Sequence, residues 1–365
     1  MTSDRTGEAG RLPKRAIALR LGAIAATLCA TTAAFAYAGG WLSPGALTPA
    51  RIVDTFERIN GRHDGFRRNH AKGVCVSGVF QSSGAAAPLS KASVFRAGET
   101  PVTGRFALAG GRPYAADATA TVRSLALRFQ LPGGEEWRTG MNDIPVFPVS
   151  TPAAFQEQLI ASAPDPATGK PDPARMAAFF AAHPESAKAV ALIKARVVMS
   201  GFADDTFNSL NAFRFRNDDG AVSSVRWAVV PIPTGTVGEP APADDKNGLF
   251  EALIKRVNAD GAPARWRLVV TVGAPEDPTN DATLPWPAGR RTVDAGTLVI
   301  DHVEGEAEGR CRDVNFDPLI LPAGIEPSDD PLLSARSAAY ARSFTRREGE
   351  PKAASAVATL TGGTR

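Results

Sequence analysis

The amino-acid sequence predicts an α+β fold: a closed or nearly closed antiparallel β-barrel of eight strands, with helices inserted between its halves and flanking them. Three observations carry that expectation. About eight segments alternate apolar and polar residues as half-buried strands do. Turn signals such as "LPGGEEW" and "DDG" join neighbouring segments, which favours antiparallel pairing. Between residues 151 and 195 the pattern changes to a helical one and separates the strands into two groups. At 365 residues, 44% hydrophobic and 22% charged, the chain has a globular composition and the length for one large domain or two ordinary ones.

The N-terminus reads as a targeting segment. "RLPKRAIALR" precedes an uncharged run from Leu21 to Ala38, where "AFA" and "AYA" offer small-residue cleavage sites. This is the pattern of an export signal, with the periplasm as destination; the alternative is an uncleaved membrane anchor over residues 21–42. No "RR" pair supports a twin-arginine route. Residues 1–46 are therefore assigned to a leader or anchor with its linker, 47–348 to the folded domain and 349–365 to a flexible tail. Arg5, Arg11, Lys14, Arg15 and Arg20 against Asp4 and Glu8 account for the whole net charge of +3. A neutral body argues against a nucleic-acid partner.

Within the domain, "SPGALTPARIVDTFERINGRH" predicts a helix from about Thr48, with Ile52, Val53, Phe56 and Ile59 on one face. Strands follow at "GVCVSGVFQ", "PVTGRFAL" and "SLALRFQL". Two helical stretches, "TPAAFQEQLIASA" and "RMAAFFAAHPESAKAVALIKA", flank a Pro-rich break. Strands return in "NAFRFRNDDGAVSSVRWAVVPI", folded at "DDG". A loop, "PTGTVGEPAPADDKN", leads to a helix at "GLFEALIKRVNAD". Two further strands, "ARWRLVVTVG" and "GTLVIDHVEG", precede a last helix, "DPLLSARSAAYARSFTRR".

No GxGxxG, Walker loop, HExxH or GxSxG occurs, which removes several enzyme classes. Cys29 falls in the apolar run. Cys75 and Cys311 remain as an even pair, and the sequence leaves a disulfide between them open. Near the C-terminus Arg336, Tyr340 and Arg347 are spaced by four and seven residues and project to one side of a helix. A guanidinium one turn from a phenol favours the phenolate, a hard anionic ligand suited to ferric iron.

These segments resemble the haem catalases. "FDPLILPAGIEPSDDPLLSARSAAY" is similar to their proximal segment, in which an Arg-x-x-x-Tyr helix supplies the axial tyrosinate. "ERINGRHDGFRRNHAKG" is similar to the distal segment, and "GMNDIPVF" to the segment carrying a distal asparagine. The three occur in family order, and the chain resembles in particular the short catalase-related peroxidases. The resemblance implies a catalase-like barrel and a b-type haem. His70 becomes the distal acid–base, Asn142 the polar partner of peroxide, Tyr340 the iron ligand and Arg336 the residue holding it anionic. Arg67, Arg105 and Arg347 fall where the family sets arginines against the haem propionates, and Phe147 and Phe155 where it lines the pocket. Cys75, close to His70, is a rival thiolate ligand. His63, His183 and His302 have no partners at ligand spacing.

The implied activity is reduction of hydrogen peroxide or organic hydroperoxides through a ferryl intermediate, with a small organic electron donor, by a monomer or small homo-oligomer without an NADPH site. Haem carriage on a catalase scaffold and transformation of lipid hydroperoxides are the alternative readings. Two departures stand out. Larger catalases carry serine after the Arg-Phe pair, hydrogen-bonded to the distal histidine, where this chain has Ala107. Their channel valine is replaced by Asn69. Both imply a less firmly oriented His70, an altered channel and weak catalase turnover.

Overall fold

The computed structural model describes residues 13–39, 46–117, 122–233 and 245–357. The start of the leader, the end of the proposed anchor, most of the loop at 233–247 and the end of the tail lie outside the described residues. Two units, Met1–Thr48 and Pro49–Arg365, are taken separately.

The first contains helix α1, Lys14–Ala38. Its span Lys14–Tyr37 has mean hydropathy 1.6, and Leu19, Leu21, Ile24, Leu28 and Phe35 are exposed. A helix of this length and composition can cross a bilayer, and an export signal has the same properties.

In the second unit, α2 (Pro49–Asn60) buries Ile52, Val53 and Phe56 along one stripe. Strands β1 (Gly73–Ser82), β2 (Gly98–Leu108), β3 (Arg123–Gln130) and β4 (Glu136–Asn142) then form an antiparallel meander. The helical excursion comprises α3 (Pro152–Ala161), α4 (Pro173–Ala182) and α5 (Pro184–Ala195). The sequence reading makes α4 and α5 one helix. They are two, because Pro184 has no N–H to continue the ladder and forces His183 out of the helical region, to φ −128° and ψ 73°.

Strands β5 (Phe207–Asn208), β6 (Phe213–Arg216) and β7 (Val222–Pro231) precede α6 (Gly248–Ile254), β8 (Ala264–Val272) and β9 (Thr292–Glu304). The last elements are β10 (Ile325–Pro327) and α7 (Pro331–Glu348). Eight strands pair in the ring β7–β5–β4–β3–β2–β1–β9–β8, and β7 pairing with β8 closes it. The expected eight-stranded barrel is therefore present, with β6 and β10 added beside it. β5 and β6 are one interrupted strand along β7, broken at residues 209–212, where Leu210 takes φ 65°.

The interior is filled. Phe106, Leu125, Leu127, Phe129, Trp137, Trp227 and Trp266 are buried, and Phe129 stacks on Trp137 with ring centroids 4.6 Å apart. A barrel of eight strands is just wide enough for such side chains, so a ligand site has to lie on its outer face.

Cys75 and Cys311 form a disulfide across 236 residues. Cys75 is therefore not a thiolate ligand, which corrects that rival reading. The near part of the tail also differs from expectation. Glu350 accepts from Gly65 N and Arg68 Nη1 at 3.0 and 2.8 Å, Arg312 donates to Ala353 O, and Val357 is buried in the core. Residues 349–357 are thus held to the body by ion pairs and burial that composition alone does not reveal.

Candidate functional site

Side chains of opposite parity to the barrel core face outward, and on β1–β4 they make two rungs. One runs Gly73–Ala107–Ser124–Asn142, the other Cys75–Arg105–Ala126–Gly140. Helices α2, α3 and α7 cover this face and leave a largely apolar pocket. His70, Asn142, Tyr340, Arg67, Arg105, Phe147, Phe155, Arg336 and Arg347 all line it. Nine residues proposed from sequence, spread from position 67 to 347, are thereby brought to one cavity.

His70 stands in the turn before β1 with φ 56°, a left-handed conformation that few non-glycine residues adopt. Asn69 helps to hold it there. Its Oδ1 accepts from His70 N at 3.0 Å and from Gly110 N at 2.9 Å, so the residue expected to alter the channel also braces the histidine backbone. The loose histidine inferred from Ala107 is corrected as well. Ser124, directly across the ladder from Ala107, sets its Oγ 3.0 Å from His70 Nδ1. The same hydroxyl donates to Oδ1 of Asn142, its other ladder neighbour. Burial, then the charges of Arg105, Arg336 and Arg67, push the His70 imidazole down to about 3, against a weaker opposing pull from the Leu108 carbonyl. It is a neutral base throughout the ordinary pH range.

Tyr340 lies on α7 and packs against Cys75, Cys311, Val314 and Phe316. A Cβ on Gly140 would stand 3.6 Å from the Tyr340 hydroxyl and 3.3 Å from Arg336 Nη2, so the bare glycine keeps the strand surface open beside both. Arg336 donates to Asn211 Oδ1 and to the Gly140 carbonyl. Asn211, in the break between β5 and β6, also donates to Asp330, the N-cap of α7. That break thus fixes the helix bearing the tyrosine.

The remaining arginines converge on one acid. Glu306 Oε1 accepts from Arg67 Nη1 at 2.6 Å and from Arg105 Nε at 2.7 Å, and Oε2 accepts from Arg105 Nη2 at 2.8 Å. Arg67 Nη2 also donates to the carbonyls of Cys311 and Val314, and Arg347 Nη1 to that of Arg312. Burial would raise the Glu306 carboxyl, but Arg105 and Arg67 outweigh it and hold the group low. Burial lowers Arg67 well below its ordinary value, and Arg105 adds to the effect. Two guanidiniums thus bond one carboxylate, and the charge of Arg347 acts on it from nearby. The neighbouring cations are engaged elsewhere: Arg68 with Glu57 and Glu350, Arg346 with Glu57 and Asp54.

These residues fit a haem. Arg67, Arg105 and Arg347 around the single Glu306 suit a ligand carrying carboxylates, the walls are apolar, and Tyr340 offers a phenol as a donor to a metal. Asn142 and Gly140 are successive same-face residues of β4, roughly 7 Å apart.

Ser124, Glu306, Asn211 and Gly140 were not legible as site residues. Ser124 and Ala126 do share a parity opposite to Leu125, Leu127 and Phe129 in "SLALRF", which marks an outward face. Glu306, in "HVEGEAEG", carries no local signal.

Comparison with known proteins agrees with this architecture. A family model described as Catalase matches residues 42–354. A "Catalase-related peroxidase" of Synechococcus elongatus is 35% identical over 91% of this chain and 96% of its own length. One of Mycolicibacterium paratuberculosis is 31% identical over 86% and 98%. Against a longer "Catalase" of Pseudomonas aeruginosa the identity is 27%, over 83% of this chain and 61% of that protein. Among solved structures, catalase A of Saccharomyces cerevisiae superposes with TM-score 0.67 at 20% identity, covering 81% of this chain and 64% of that one.

Proposed function

The chain belongs to the catalase family, and we propose that it is a haem peroxidase of the short, catalase-related kind, reducing hydrogen peroxide or organic hydroperoxides with electrons from a small organic donor. The observation that carries the reading is the hydrogen-bonded set His70–Ser124–Asn142 on the same pocket as Tyr340 and the arginine cluster.

Bound there as the b type, haem would supply the redox chemistry of peroxide O–O cleavage. Arg67, Arg105 and Arg347 would hold its carboxylates, and Tyr340, with Arg336 beside it, would be the protein's donor to its iron. His70, held neutral and so with a free ring-nitrogen lone pair, takes a proton from one peroxide oxygen and returns it to the other. Asn142 donates from its amide to the substrate without competing for that proton. Phe147 and Phe155, with ring centroids 5.8 Å apart, limit water at the site. Haem carriage would need the axial donor and the arginines but no proton relay, so the distal set favours an enzyme. Export of the folded domain is supported by α1 and by the Cys75–Cys311 disulfide, which suits an oxidising compartment.

The test is steady-state turnover of the haem-loaded chain with hydrogen peroxide, an alkyl hydroperoxide and a lipid hydroperoxide, each with and without a dye donor. Donor oxidation that depends on peroxide and on His70 is expected. Lack of it in the loaded protein, or exclusive rearrangement of the lipid hydroperoxide, would overturn the reading.

A further inference from the structure

We propose that Ser124 is the positioning residue that sets the proton arrangement of both distal groups, holding His70 with its proton on Nδ1 and Asn142 with its amide N–H groups toward the pocket. This rests on the peroxidase reading and deepens it.

Ser124 Oγ contacts two partners. Its neighbour on Asn142 is Oδ1, a carbonyl oxygen without hydrogen, so the single hydroxyl proton must lie in that bond. Oγ then has only lone pairs to offer His70, and the 3.0 Å contact requires a hydrogen on Nδ1. A neutral imidazole protonated at Nδ1 has its lone pair on Nε2, which becomes the base. With Oδ1 of Asn142 engaged, Nδ2 is left as the group that can donate to a substrate. One hydroxyl thus makes the histidine an acceptor and the asparagine a donor, the polarity peroxide needs.

The placement follows from register. Gly73, Ala107, Ser124 and Asn142 occupy one rung across four strands, and the His70 ring meets it at Ser124. The serine that larger catalases carry at the place of Ala107 bonds the distal histidine from β2; on β3 the hydroxyl is also the ladder partner of Asn142. Moving the hydroxyl from position 107 to 124 therefore keeps the contact to the histidine and adds one to the asparagine.

The test reads tautomer rather than turnover. The full-length chain, labelled with 15N-histidine, is observed by NMR both haem-free and loaded with diamagnetic gallium protoporphyrin, with His70→Gln assigning the signals. The unsubstituted protein should show His70 Nδ1 protonated and Nε2 bare. Ser124→Ala should give a mixed or reversed pattern, with kcat/KM for peroxide in the haem-loaded protein lowered about tenfold or more at unchanged haem content. Ser124→Thr should restore the pattern. If Ser124→Ala does not fold, the double variant Ala107→Ser/Ser124→Gly returns a hydroxyl to the histidine alone and should recover the tautomer without full turnover. An unchanged His70 pattern in Ser124→Ala, or full turnover in the double variant, overturns the proposal while leaving the peroxidase reading in place. An enzyme inactive before any substitution removes that reading and leaves the tautomer result standing.

Discussion

Glu306 and Arg105 meet through two hydrogen bonds, Nε to Oε1 at 2.7 Å and Nη2 to Oε2 at 2.8 Å, on a wall where Arg67 also leans on the same carboxylate. Without that acid, Arg67 and Arg105 would lose the carboxylate that pairs them and repel one another, with the charge of Arg347 adding to the effect. Glu306→Gln should therefore destabilise the haem-free protein by about 3–5 kcal/mol, the cost of breaking a buried pair. Haem carboxylates would replace part of the lost charge, so the loaded protein should lose less. Urea unfolding of both forms checks this; equal losses would mean that the cluster does not face the haem.

Replacing Tyr340 by Phe should abolish stable haem retention and any tyrosinate-type ferric spectrum. Gly140→Ala acts on the same contact from the strand side. Its methyl would press on Arg336 at 3.3 Å and approach the hydroxyl at 3.6 Å. Weaker haem loading at unchanged fold is expected, read by absorbance titration with hemin. Normal loading of Tyr340→Phe would remove the phenol from its axial role.

Two opposing contributions to the acid limb of stability in the haem-free protein come from His70 and Asp205. Unfolded, the His70 imidazole titrates near 6.5; folded, at about 3, because of burial and three arginines. Between those values only the unfolded chain binds the proton, so acidification destabilises the fold, by up to ~1.36 kcal/mol per pH unit. Asp205 acts the other way. Burial raises it from 3.8 to about 6 despite Arg123, so between those values the folded state holds the proton and acidification stabilises. His70→Gln should flatten the loss of stability between pH 6.5 and 4, and Asp205→Asn should steepen it. Parallel curves for all three proteins would contradict the neutral, buried imidazole.

Reduction of the disulfide should reach the pocket. Cys311 and its neighbours Arg312 and Val314 supply the carbonyls that Arg67 and Arg347 hold to. Cys75→Ser/Cys311→Ser should lower stability by about 2–4 kcal/mol and weaken haem affinity. Thermal melts and hemin titration, with and without reductant, measure both; a loss of stability with unaltered haem affinity would confine the bond to the fold.

Much of this was readable from local patterns. The alternation in "GVCVSGVFQ" and "SLALRFQL", the turn glycines, and the helical spacing of Arg336, Tyr340 and Arg347 each lie within one element, where periodicity and steric rules act. The His70, Asn142 and Tyr340 segments were recognisable because each is a short contiguous string. The single helix drawn through Pro184 failed even at this scale, because helical composition on both sides hid the missing N–H.

What the amino-acid order determined by itself was most of the long elements and which face of each is apolar; β4, the short β5 and β10 and the break at Pro184 were not read from it. Only the tertiary structure decided that β7 closes on β8, that Ser124 stands across from Ala107, that Glu306 sits among the arginines and that Cys75 reaches Cys311. The physical reason is range. Backbone propensity and burial parity act between residues a few positions apart, whereas ladder register, buried charge balance and a bond across 236 residues are set by the folded chain as a whole.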